Sequence, residues 1–188
     1  MATASDGLHA TGLIEGRLAF DLGTLPGPSI GPGLAGGVAL RRLRARLGAL
    51  YLPPRFAKAP ADAGQGTRGA AISLAASSVE GCYAALEEPV EIDVCAMLEG
   101  GALIADGSGF EHTKRVVTAW VAGGGSVEVV WRRLDPLTLR LGVGGMAPFG
   151  RSRVRFQNDA LNPPEKQEFY RPGGASMRAV LTVGLSFE

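Results

Sequence analysis

Histidine is nearly missing from this chain: His9 and His112 are the only two among 188 residues. Aromatic residues make up just 6% and cysteines number two, Cys82 and Cys95. With no histidine near that pair, a zinc centre is not expected, and no other metal or cofactor is implied. No stretch approaches the ~18 consecutive apolar residues that a membrane-spanning helix requires. The longest charge-free run, Leu22 to Leu40, is broken by Pro26, Pro28, Pro32 and several glycines. A helical membrane protein is therefore excluded. A formal net charge of +1 offers no global electrostatic case for nucleic acid as a partner. The opening "MATASDGLHATGL" has neither the basic start nor the apolar centre of an export signal. The expectation is a mature form carrying an added start methionine.

What the chain does have is glycine, 28 residues of it, and alternation. Glycine at that level without a collagen period suits a β protein with tight turns and crowded strand contacts. Period-two patterning recurs from end to end. In 12–23, Ile14, Gly16, Leu18, Phe20 and Leu22 share a face opposite Glu15, Arg17, Ala19 and Asp21. "LAGGVALRRLRARLGALYL" reads as a hairpin turning at Arg41-Arg42, with Leu43, Ala45, Leu47, Ala49 and Tyr51 opposite Arg44 and Arg46. A basic amphipathic helix through Leu40, Leu43, Leu47 and Leu50 is the competing reading, weakened by Gly36, Gly37 and Gly48. A strand over 70–81 alternates through Ile72, Leu74 and Ala76. Further strands follow in 90–106, 116–132, 137–147 and 178–187. The predicted long connections are 24–33, 53–69, 106–115 and 148–174; the short ones are 41–42, 82–89 and 134–136. Eight strands place every long loop at one end, and both termini at the other.

Ten charged residues fall on the face opposite the apolar one: Glu15, Arg17, Asp21, Arg44, Arg46, Glu99, Glu128, Arg132, Arg140 and Arg178. A soluble barrel would turn that face to water; a membrane barrel would turn it into the lumen. Alternation alone does not separate the two. Three features favour the membrane arrangement. Small residues interrupt the apolar face, which suits lipid better than a close-packed core. Loop lengths are asymmetric. The charges are of both signs and can pair inside an eight-stranded interior, which is only wide enough for side chains.

In these respects the chain resembles small outer-membrane β-barrels of Gram-negative bacteria, similar in plan to the OmpA-type transmembrane domain. The terminal "AVLTVGLSF" resembles the signal read by the barrel assembly machinery, with Phe187 penultimate where the family usually places its aromatic last. The resemblance implies an all-β, eight-stranded antiparallel up-and-down transmembrane β-barrel. It would occupy 1–188 as a single domain, with 1–11 as a flexible leading segment. The implied location is the outer membrane, and the implied role is structural or interactive, not enzymatic. The expected partners are the lipid bilayer, the barrel assembly machinery during insertion and a larger envelope complex met through 53–69 or 148–174. The alternatives are a narrow gated ion channel and a soluble lipocalin-like ligand-binding barrel.

Within this frame, Cys82 and Cys95 flank the 82–89 connection, where a disulfide would staple a turn in an oxidising compartment. Two reduced, partly buried thiols are the plainer alternative. Tyr51, Trp131 and Phe187, on the apolar face, are expected to anchor at the membrane interface. Trp120 would point inward. Ser108, Glu111 and His112 could compose a hydrolytic trio, but they crowd one loop without an elbow motif.

Overall fold

The computed structural model describes residues 10–58, 69–86, 90–108, 115–134, 136–150, 154–158 and 165–187. The wall consists of β1 (Ala10–Leu22), β2 (Ser29–Leu40), β3 (Leu43–Lys58), β4 (Gly69–Leu86), β5 (Glu91–Ser108), β6 (Arg115–Leu134) and β7 (Leu137–Pro148). A hairpin, β8 (Val154–Asn158) and β9 (Glu165–Tyr170), stands apart as a two-stranded sheet. The last wall strand, β10 (Ser176–Phe187), pairs with β1 and closes the barrel. All wall pairings are antiparallel and join sequence neighbours, apart from β1–β10, which closes the ring, and β7–β10, between which the β8–β9 hairpin is inserted. The fold is thus a closed, eight-stranded, up-and-down barrel.

Side-chain polarity is inverted relative to a soluble protein. Leu34 and Leu47 are 69% and 67% exposed on the outside, while Glu15 and Arg140 inside are each 2% exposed. Leu139, Leu181 and Val183 are likewise outside, and Arg178 is buried. Water around such an exterior would be unfavourable along the whole belt of leucine and valine; hydrocarbon would not.

The wall curves tightly because glycine occupies inward positions where a Cβ would strike the next strand. A Cβ on Gly124 would collide with the Gly145 carbonyl oxygen, and one on Gly37 with that of Ala45. The β2–β3 turn at Arg41-Arg42 is formed with Arg41 in the left-handed region, at φ 53°. The helical alternative for this stretch is not adopted.

Several expected boundaries move. Strand β2 begins at Ser29, so the 24–33 connection contracts; Pro32 sits within the strand opposite Leu18. Strand β3 continues past Pro53 and Pro54 to Lys58, because a register shift between Leu52 and Arg55 absorbs the two missing donors. Strands β4 and β5 extend to Leu86 and from Glu91, so most of 82–89 is paired strand. The region 148–174, read as irregular, carries the β8–β9 hairpin.

Strand β4 turns its apolar alternation to the lumen. Ile72, Leu74 and Ala76 face inward, at 0%, 0% and 7% exposure, not outward to lipid. They belong to an apolar cluster that fills the loop-end half of the lumen, with Leu25, Leu52, Leu103, Ala105, Trp120 and Met146 among its members. The lumen is therefore not uniformly ionic.

Candidate functional site: the lumen

The half of the lumen nearer the short turns holds an ionic lattice. Each arginine enters from a position whose neighbours on the strand face outward, so alternation alone delivers it inside. Arg46 from β3 lies centrally. Its Nη1 and Nη2 donate to the two carboxylate oxygens of Glu128 on β6 at 2.9 and 2.6 Å. The same guanidinium lies 3.0 Å from Glu80 on β4 and 3.7 Å from Glu15 on β1. Arg17 on β1 grips Glu80 with both terminal nitrogens, at 2.5 and 2.9 Å, and reaches Glu15 at 3.0 Å. Arg44 donates to Asp93 and Glu91, closing the bottom of the lumen. Forked pairs of this kind are the strongest that arginine makes with carboxylate.

Arg140 on β7 is held more loosely. Its Nε lies 3.4 Å from Glu15, and its Nη1 lies 3.8 Å from both Asp93 and Glu128. That Nη1 is buried without a hydrogen bond, as are Glu15 Oε1 and Asp93 Oδ1.

A second ionic group sits higher. Arg178 on β10 donates to Glu99 at 2.5 Å and to Asp21 at 3.1 Å. Trp120 Nε1 donates to the other Glu99 oxygen at 2.8 Å. Asp21 also accepts from the Thr24 amide and hydroxyl, which fixes the β1–β2 turn. Between the two groups lies a cavity of about 60 Å³, bounded by Arg17, Glu80, Glu128, Glu99, Arg178 and Met146 among others. Above them, Trp120, Leu52, Ile72, Leu74 and Leu103 are all at 1% exposure or less. Among the described residues, the interior is charge-paired below and filled with apolar side chains above.

Glu80, Glu91 and Asp93 were not among the residues singled out from the sequence. The signal was present: Glu91 and Asp93 share the parity of Cys95 and Glu99, and Glu80 shares that of Cys82. The Arg132 side chain lies outside the described residues, as do residues 1–9 and the side chains of Ser108, Glu111 and His112.

Cys82 and Cys95 form a disulfide that joins the two strands flanking the β4–β5 connection. They are directly opposed on β4 and β5 and point into the lumen. Outside, Trp131 and Phe187 project near the short-turn end, at 59% and 51% exposure. Tyr51 is also outward-facing, yet lies mid-strand in β3 and not at a strand end as expected.

No protein-family model matches the chain, nor does any curated protein sequence. Solved structures do. A major outer membrane protein from Thermus thermophilus is similar with a TM-score of 0.70 at 16% identity, over 95% of this chain and 99% of that one. Neisserial surface protein A is similar with a TM-score of 0.62 at 14% identity, over 97% and 100%. Ail, the attachment invasion locus protein of Yersinia pestis, gives 0.54 at 8% identity, over 95% and 97%. The class is thereby defined: a barrel with its apolar face outward and its ions inside. Its particular fold is that of the small eight-stranded outer-membrane barrels.

Proposed function

We propose that this chain is an outer-membrane barrel that does not conduct, its lumen serving as a structural core while its loop end meets partners. The observation that carries this reading is the apolar layer above the ionic lattice, where the described lumen is filled by Trp120, Leu52, Ile72, Leu74 and Leu103. By analogy with outer-membrane barrels, the short turns face the periplasm and the long connections face outward. On that reading the β8–β9 hairpin, within 148–174, faces outward as a contact surface for an envelope complex. The terminal β10 pattern ending at Phe187 supports recognition by the barrel assembly machinery. The arginine–carboxylate lattice stabilises the closed cylinder, and Trp131 and Phe187 lie where an interfacial aromatic would anchor.

The test is planar-bilayer conductance of the purified protein. A silent bilayer at protein densities that give steady openings for a known porin is expected. Steady openings altered by Arg140→Ala or Glu128→Ala would replace this reading with the narrow ion channel.

A further inference from the structure

Among the described residues, the Cys82–Cys95 bond is enclosed on every side. Both cysteines are buried, at 3% and 4% exposure. Below them Arg44 closes the lumen through Asp93 and Glu91. Beside them Arg46 Nη2 donates to Cys82 Sγ at 3.0 Å and lies 3.5 Å from Cys95 Sγ. Arg46 is itself held by Glu128 and Glu80. Above stand Glu99, Arg178 and the apolar layer. Around them runs an unbroken ring of hydrogen-bonded strands.

Thiol–disulfide exchange requires the attacking thiolate, the attacked sulfur and the leaving sulfur to meet along one line. Neither a protein nor a small disulfide can bring a sulfur to Cys82 or Cys95 in the closed barrel. The cavity between the two ionic groups is lined by neither cysteine.

We propose that this bond is made before the barrel closes, on an open β4–β5 segment, by exchange with a disulfide-bearing oxidant. The thiolate of one cysteine attacks the oxidant's disulfide, giving a mixed disulfide and releasing one oxidant thiol. The second cysteine, as thiolate, attacks the mixed bond on the chain's own sulfur. The Cys82–Cys95 bond forms and the second oxidant thiol leaves. The chain loses two electrons and two protons, and the oxidant gains them. A dithiol-oxidising reaction therefore stands upstream of barrel folding, with the unfolded chain as its substrate. Because the cysteines are directly opposed, the crosslink also selects the native register of β4 against β5 before the sheet exists.

The experiment uses the full chain in detergent micelles, with thiols counted by alkylation and mass spectrometry. The oxidised, folded barrel is treated with dithiothreitol alongside the same protein in urea. Reduction in the folded form is expected to be slower by a factor of about 100 or more, set by how rarely the wall opens. Equal rates would overturn the proposal. In the complementary arm, chain folded with its thiols reduced is offered oxidised glutathione. Thiols that persist when folded but are consumed in urea support the proposal, as does a reduced chain that fails to fold until oxidised. Oxidation of the folded barrel at the unfolded rate would contradict it.

Discussion

Phe187 packs over Gly12 across the seam where β10 meets β1. A Cβ on Gly12 would run into the ring's Cε2, so the ring occupies the space a side chain would need. The same device recurs on the exterior where Phe56 covers Gly69 and Phe149 covers Gly123. An aromatic laid over a cross-strand glycine shields backbone and contributes packing that the glycine lacks.

The first prediction follows from that seam. Phe187→Ala should lower unfolding stability by about 1–2 kcal/mol, less than a fully buried ring because half of it faces outward. Gly12→Val should cost at least as much, since it displaces the ring instead of removing it. Urea unfolding in micelles reads both; an unchanged midpoint for either variant would show that the contact does not hold the seam.

The second concerns Arg46. Arg46→Met leaves Glu128 and Glu80 buried without their shared cation, and should cost about 3–5 kcal/mol. Adding Glu128→Gln should recover part of that loss, because the uncompensated charge is then gone. The two variants compared by urea unfolding test this; a double variant no more stable than Arg46→Met would contradict it.

A third prediction concerns Trp120, which joins the apolar layer to the ionic group through Glu99. Trp120→Ala removes both a buried ring and a hydrogen bond, and should cost about 3–5 kcal/mol. Trp120→Phe keeps most of the packing and should cost clearly less. Equal losses for the two would assign the effect to the hydrogen bond alone.

The fourth is a pH effect outside the wall. Tyr170 donates to the Thr24 carbonyl at 3.0 Å. Burial, with a smaller contribution from the nearby Asp21 charge, pushes its phenol up to about 12. A pKa raised in the folded state means stability that is whole below the unfolded value near 10. It is lost as pH rises from there through about 12. Ultraviolet titration of the folded protein should show a late-ionising component, one tyrosine in size, that disappears in Tyr170→Phe. Its persistence in that variant would refute the assignment.

Much of this architecture is legible in alternation alone. Arg44 and Arg46 between Leu43, Ala45 and Leu47 leave little freedom once the strand is recognised, and Arg140 between Leu139 and Leu141 is equally clear. Strand β4 is harder, because "AAISLAASSVEG" sets alanine against serine and offers little contrast. Its large apolar residues Ile72 and Leu74 suggest the lipid face, yet they point into the lumen beside Leu52 and Leu103 on the two neighbouring strands. Only the closed barrel shows that the upper interior is apolar. Pro53 and Pro54 similarly suggest a loop, because the register shift that keeps β3 going is a property of the pairing, not of the local chain. The disulfide is foreseeable as a pair but not as a lumen crosslink, since its placement depends on β4 and β5 running further than the sequence indicates.

The central claim is that the apolar exterior meets hydrocarbon while the lumen stays sealed. The chain's two tryptophans report on it directly, because Trp131 projects outward at 59% exposure and Trp120 lies within at 1%. Trp120→Phe and Trp131→Phe variants in vesicles isolate each fluorophore. Brominated acyl chains should quench Trp131 strongly and Trp120 hardly at all, and aqueous iodide should quench neither. Trp131 quenched by iodide and untouched by brominated lipid, in a protein monomeric without detergent, would contradict the account.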